Sequence, residues 1–406
     1  MTDLETRVRP PGPATLRRAA PALLGYAAVR ALGLLVLAVW SAARDKSAYT
    51  LLTARWDALW YTRVAELGYG YEVRLPNGDV HSNLAFFPLL PWLERLLHAV
   101  APLSYADAGF VVSLLASVAA AWGVFAVADH VYGRRAGVCA VLVWAVLPVA
   151  IVQSMAYSES LFTALAAWSL YAVLTGRWVT AGVLASLSGL TRPVGLAVVA
   201  AVWATAAVSF LRDREARAEV PFARNRCAAP EPGAPTGERA SRVPRALGML
   251  LAPLGAAGYV LWVGHRTGRG PLGYLDVQAG WRNGFDGGYA FARFVADKFT
   301  SFPSALAGLG LIVGVGLLLW LYAVCVRQRQ PLPLLVYAGV VLALALCASS
   351  YFGSKPRLLL PAFPLLLPLA LALARLRTSR SAPLVGCLAV ASAVYGGWWL
   401  NGSGPP

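Results

Sequence analysis

Long apolar runs, broken by short polar segments, recur from one end of the chain to the other. A helix needs about 20 mostly apolar residues to cross a bilayer. On that measure eleven spans are expected, at 20–43, 106–129, 136–155, 158–175, 178–191, 193–211, 246–265, 303–326, 331–350, 358–374 and 383–400. The fifth is short, and Pro193 follows it. The fifth and sixth are therefore expected to form a broken or partly re-entrant pair around Thr191-Arg192-Pro193.

Two polar stretches between spans carry a pattern of their own. In the loop 44–105 the spacing of Trp56, Leu59, Trp60, Arg63, Val64 and Leu67 puts an aromatic and aliphatic stripe on one helical face. Such a helix lies in the membrane interface, and a second one, from Pro91 to Leu103, dips into the same layer. Residues 212–245, rich in Pro, Ala and Arg and without apolar periodicity, read as a disordered linker. It separates an N-terminal membrane module, 1–211, from a C-terminal one, 246–406.

Composition agrees with the pattern. At 58% hydrophobic and 13% charged, 406 residues could not cover a soluble core with polar surface. The expected class is an all-α polytopic membrane protein. A net charge of +16 would suggest nucleic acid in a soluble protein, but here the basic residues sit in the segments between spans, and nucleic-acid binding is set aside. With the N-terminus inside, the inner segments hold 20 Arg and Lys and the outer ones 14, which favours N-in, C-out. The linker is then cytoplasmic. The loop 44–105, the loop 266–301 and the turn 354–357 face outward. Arginine outnumbers lysine 32 to 3, and with much Ala, Gly and Pro this points to a high-GC bacterial source. The first apolar stretch is too long for a cleaved signal and reads as an anchor.

Candidate chemistry gathers on the outer side. Asp57 begins the first interfacial helix and has two readings: a first-turn carboxylate favoured by the helix dipole, or a general base that takes a proton from an acceptor hydroxyl. Trp56 and Tyr61 of the same string are candidate substrate contacts. Glu159 opens the fourth span, Arg192 marks the break between the fifth and sixth, and Lys355 and Arg357 open the tenth. Charge at such depth is costly unless it pairs or lines a watery cavity. Arg192, Lys355 and Arg357 together would clamp a phosphate. Against that stand a simple Glu159–Arg192 pair, and Lys355 and Arg357 reaching out to headgroups.

Weaker signals add little. His81 has no partner at metal-ligand spacing and reads as a solvated histidine. Asp276, Asp286 and Asp297, with Trp281 and Tyr289, would bind a sugar by hydrogen bonds and stacking, or form an ordinary polar loop. Five cysteines without C-x-x-C spacing support neither a disulfide framework nor a metal site. Asn401-Gly402-Ser403 matches a glycosylation acceptor. No Gly-rich phosphate loop, G-x-S-x-G or H-E-x-x-H is present, so a soluble nucleotide-sugar donor is disfavoured, and no metal or cofactor is expected.

The strings RWDALWYTRVAELGY, AFFPLLP, AYSESLF and, less closely, GLTRPVGL resemble the motif series of the phosphatidylinositol-glycan class V mannosyltransferases, the GPI mannosyltransferase II family, and its bacterial relatives. The resemblance covers the first six spans, and the second half only through general layout and KPRLLLPAFPLL. It implies the GT-C glycosyltransferase fold, a polyprenyl-monophosphate sugar donor and transfer on the outer face of the cell membrane. By it Asp57 matches the acid of the first-loop motif and Glu159 the family's Tyr-Ser-Glu. Arg192 lies where eukaryotic members read Arg-Ser-Asn-Gly, and this chain reads Arg-Pro-Val-Gly.

The expected activity is transfer of mannose from polyprenyl-phosphate mannose to a lipid or glycan acceptor. Arg192, helped by Lys355 or Arg357, holds the phosphate while Asp57 deprotonates the acceptor for inverting displacement. Arabinose or glucose donors remain open. A lipid or sugar-lipid transporter, with Glu159 and Arg192 as a gating pair, is the alternative, ahead of a structural envelope subunit.

Overall fold

The computed structural model describes residues 16–218, 236–349, 351–402 and 404. The first helix, α1 (Leu16–Ala42), leads through the short α2 (Ala48–Thr53) into the first loop, which holds α3 (Asp57–Leu67), a hairpin of β1 (Glu72–Arg74) and β2 (Val80–Ser82), and α4 (Leu89–Val100). Both amphipathic helices fall where the apolar stripes put them. The hairpin was not expected: Gly78 turns it at φ 87°, a conformation that favours glycine.

The membrane bundle follows with α5 (Tyr105–Tyr132), α6 (Arg134–Ala145), α7 (Ser158–Leu174), α8 (Trp178–Gly189), α9 (Leu196–Ala218), α10 (Thr236–Leu251) and α11 (Leu254–Thr267). The second loop carries α12 (Gly273–Gly280), β3 (Gly284–Phe285) and α13 (Tyr289–Asp297). It leads to α14 (Ser304–Arg327), α15 (Leu332–Cys347), β4 (Ala348–Ser349), α16 (Lys355–Leu358), α17 (Leu367–Arg375) and α18 (Thr378–Leu400). β3 pairs with β4 and so ties the second loop to the turn before α16.

Helix ends obey local chemistry. Ser104 caps α5 by accepting from the Asp107 amide (3.1 Å) while its hydroxyl donates to the Asp107 carboxylate (2.6 Å). Pro148 interrupts the third expected span, which is α6 followed by a 3-10 turn at Ala150–Ser154. The buried Arg30 of α1 donates to the carbonyls of Ala145 and Ala150 and so satisfies backbone that this break frees. α8 and α10 cross at Gly182 and Gly248, where a Cβ on Gly182 would overlap the Gly248 backbone and one on Gly248 the Trp178 backbone, the close approach that small residues permit in membranes.

Among the described residues six helices are long and apolar enough to cross a membrane. A seventh forms if Phe352–Leu358 and Phe363–Arg375, bent by 74°, count as one span. Ser158–Leu174, Trp178–Gly189 and Leu332–Cys347 are apolar but shorter. The protein is multi-pass, yet length and apolarity alone do not reach the expected eleven, because breaks at the site shorten several helices. At the ends of the expected linker, 212–218 and 236–245 are helical as parts of α9 and α10, and 219–235 lie outside the described residues.

Helices from both sides of that linker share one core: α1 packs on α18, α6 on α17 and α9 on α15. Its largest buried ring, Trp144, stacks on Tyr26 (5.6 Å) and donates to the Leu360 carbonyl (3.0 Å). Asn401, far from being open to glycosylation, is buried, and its amide donates to the Ser41 hydroxyl and the Gly397 carbonyl.

One buried carboxyl group stands apart. Glu94 of α4 is 0% exposed, and among the described residues neither carboxylate oxygen has a hydrogen-bond partner. It rests on the backbone of α5, where a Cβ on Gly109 would lie 2.5 Å from its Oε1. Burial pushes its pKa well above the usual carboxylate range. With the folded value above the unfolded one, the linked stability is full below about pH 4.3 and is lost as pH rises towards the folded pKa, at about 1.4 kcal/mol per pH unit. Glu94→Gln is therefore expected to melt above wild type at pH 8 and by a smaller margin at pH 5 in detergent. A margin that does not widen with pH would contradict a buried, proton-dependent Glu94.

Candidate active site

Three chain breaks meet at one end of the bundle. The first is the start of α3, where Trp56 holds φ 52° and ψ −126°, an uncommon conformation for a bulky residue that stores about 1–3 kcal/mol. The Arg55 guanidinium lies over the Trp56 ring at 4.1 Å, and the next residue, Asp57, opens the helix. The second is the extended segment before α7, where Ala156 donates its amide to the Leu52 carbonyl (2.9 Å). The third is the α8–α9 break, where Arg192 is extended and the Leu89 amide donates to the Leu190 carbonyl (3.0 Å). These backbone bonds join the first loop to both membrane breaks.

Four charges converge there. Arg357 reaches Asp57 with Nη2 at 2.8 Å from Oδ2, and Glu159 with Nε at 3.2 Å from Oε1. Arg192 Nη1 lies 2.5 Å from the same Glu159 oxygen. Side-chain exposure is 2% for Glu159, 9% for Arg357, 13% for Arg192 and 27% for Asp57, so Asp57 is the edge through which the cluster meets its surroundings. Two acids and two bases balance, which is what permits charge at such burial. The cluster is not saturated: Arg357 Nη1 is buried and has no hydrogen-bond partner among the described residues.

Neighbouring rings hold the charges in place. Arg357 lies over the Tyr157 ring at 5.0 Å. Tyr61, one turn after Asp57 and buried, shares a 2.7 Å hydrogen bond with the Ser158 hydroxyl, next to Glu159. Burial pushes the Tyr61 phenol up, so it stays protonated and serves as a donor or acceptor.

Of the residues singled out from the sequence, Asp57, Glu159, Arg192, Arg357 and Tyr61 come together, and Trp56 shapes the backbone beside them. Lys355 does not join. Its amine donates to the carbonyls of Ala345 (2.6 Å) and Ala348 (2.9 Å) beneath the rings of Phe291 and Phe352. Neither Lys355 nor Arg357 reaches out to headgroups, since both are buried. His81 is not a simple solvated histidine, because it stacks on Trp281 at 4.0 Å. Asp286 caps α13 by accepting from the Gly288 and Ala290 amides (2.9 Å each). Tyr157, two residues before Glu159 in the same string, is a contact of Arg357 that the polar pattern does not single out.

A multi-pass helical bundle with a charged cluster where the first-loop helices meet broken spans is a membrane protein, and its likeness to the solved ArnT gives it the GT-C fold. Residues 31–216 match the model of the family described as Mannosyltransferase (PIG-V), the stretch that carries Asp57, Glu159 and Arg192, and the motif resemblance is thereby borne out. No curated protein matches the chain. Among solved structures, ArnT from Cupriavidus metallidurans bound to undecaprenyl phosphate is similar at TM-score 0.50 and 15% identity, over 91% of this chain and 63% of that one. The Archaeoglobus fulgidus oligosaccharyltransferase AglB, in complex with an inhibitory peptide and a dolichol-phosphate, aligns at TM-score 0.45 and 14% identity, over 94% of this chain and 56% of that one. The chain thus spans about three fifths of the length of these solved proteins.

Proposed function

We propose that the protein is an integral membrane glycosyltransferase that moves mannose from a polyprenyl-phosphate donor to a hydroxyl acceptor on the outer face of the plasma membrane. The observation that carries this reading is the bridge from the partly exposed Asp57 through the buried Arg357 to Glu159 and Arg192. The family match and the undecaprenyl phosphate held by the similar ArnT support a lipid-phosphate donor.

Arg192 and Nη1 of Arg357, which has no hydrogen-bond partner among the described residues, receive the donor phosphate, where fixed donors cost no reorganisation as the bond to the anomeric carbon breaks. Lys355, its amine committed to two carbonyls, contributes positive charge at a distance. Asp57 keeps one oxygen on Arg357 and takes the acceptor's proton on the other, as the acceptor oxygen bonds the anomeric carbon and polyprenyl phosphate departs with the electron pair. The phosphate leaves without needing a strong acid.

Direct displacement inverts the anomeric centre. A β-linked donor is expected to give an α-mannoside, read by NMR of the product; retention would overturn single displacement. The described residues bring no three of His, Cys, Asp and Glu together, and transfer is expected to survive EDTA.

The Glu159–Arg192 pair is also what a gated transporter would use. The link onward to Asp57 favours chemistry, because a gate has no need of a second, partly exposed carboxylate.

A further inference from the structure

The end of the bundle remote from the charged cluster carries a feature that sugar transfer does not use. Ser113 of α5 donates to the Tyr157 carbonyl beside the cluster, and Asp129 lies sixteen residues further along the same helix, about 24 Å away. At that level the chain gathers six exposed arginines from three distant segments. They are Arg17 and Arg18 of α1, Arg134 and Arg135 of α6, and Arg377 and Arg380 where α18 begins. α1 and α18 run side by side in one direction, with Gly397 against Val36 and Trp40 near their far ends, so both begin on this face.

The segments are tied together through the arginines themselves. Arg134 Nε donates to the Arg18 carbonyl (3.3 Å), and Arg135 Nη2 donates to the carbonyl of Leu376 (2.5 Å), the residue before Arg377. Arg18 forks onto Asp129 through Nε (3.2 Å) and Nη2 (2.9 Å). Asp129 is the one carboxylate in α1, α6, α18 and the second half of α5. The other five arginines have no acidic partner among the described residues. Five positive charges held together without a counter-charge repel one another, and a bound anion relieves them. Further into the bundle from this rim the exposed side chains turn apolar, with Leu24 on α1 and Leu384 and Leu388 on α18.

We infer that this face binds an anionic phospholipid, with the arginine forks on its headgroup phosphates and its acyl chains along the leucines of α1 and α18. One phosphate occupies one or two guanidinium forks, so five arginines suit a headgroup that carries two phosphates. Such a lipid meets the charged rim and the leucines in a single molecule, which a free phosphate does not. A charge bias that merely orients the chain in the membrane needs positive charge alone, and lysine supplies it equally. Forks on a phosphate are not replaced by lysine, which acts only as a point charge.

The test is native mass spectrometry of the full chain in non-ionic detergent, titrated with tetraoleoyl cardiolipin and with dioleoylphosphatidylcholine. Wild type is expected to hold cardiolipin at least about tenfold more tightly than the zwitterionic lipid. Arg134→Gln with Arg135→Gln is expected to weaken cardiolipin about thirtyfold, the scale of two arginine charges near anionic lipid. Arg134→Lys with Arg135→Lys is expected to weaken it about threefold to tenfold, while Arg293→Gln, exposed on α13, changes nothing. Equal affinity for the two lipids in wild type, or an undiminished preference for cardiolipin in both paired variants, overturns the inference. Should the glutamine pair fail to fold, the lysine pair decides, and binding as tight as with arginine overturns it. Inorganic pyrophosphate is added as a competitor, and displacement of cardiolipin at micromolar concentration would overturn the lipid assignment in favour of a soluble diphosphate.

Discussion

Asp57→Asn is expected to lower kcat by 100- to 10,000-fold, the range for losing a positioned general base, with little change in donor KM. The amide has nearly the carboxylate's shape but cannot take a proton at neutral pH. The change also takes the carboxylate from its 2.8 Å pair with the buried Arg357, so a lower melting temperature is expected beside the loss of turnover. Turnover separates the base from the helix-dipole role: a first-turn carboxylate is worth about 0.3–1 kcal/mol of stability and nothing in turnover. A variant that melts lower but turns over normally would assign Asp57 to the dipole.

Arg357→Met is expected to fail in both respects. Its guanidinium faces Asp57 and Glu159 from a buried position, and removing it leaves Glu159 with Arg192 alone. Breaking a buried ion pair on one side typically costs about 3–5 kcal/mol, because the surviving charge stays desolvated. Arg357→Lys restores charge but not the planar fork that reaches two carboxylates at once, so it is expected to recover stability more fully than kcat. Melting temperature and single-turnover rate, measured on both variants, check this. Equal recovery of the two by lysine would mean that charge alone matters and that the fork does not position Asp57.

The sequence made the interfacial helices legible because their apolar stripes repeat at helical spacing, and α3 begins at Asp57, within a residue of its stripe. Asp57, Glu159 and Arg192 were legible as polar residues placed where the membrane makes them costly. Their meeting with Arg357 was not, since 300 positions separate it from Asp57 and only the reach of its side chain from α16 to the starts of α3 and α7 joins them. Lys355 and Arg357 look equivalent in a Lys-Pro-Arg string, yet one faces carbonyls and the other faces carboxylates. Glu94 in an amphipathic helix looks like a solvated charge, and nothing local reveals that α5 covers it. Trp281 suggested stacking, but its partner His81 lies across two loops.

The most direct measurement is made on purified wild type in proteoliposomes, supplied with radiolabelled polyprenyl-phosphate mannose and a glycoside acceptor, with the label followed by chemical form and by side of the bilayer. A labelled mannoside is expected on the outer side, formed by wild type and not by Asp57→Asn. Label that crosses the bilayer still attached to polyprenyl phosphate, with no mannoside formed by well-folded wild type, would contradict sugar transfer and make the Glu159–Arg192 pair a gate.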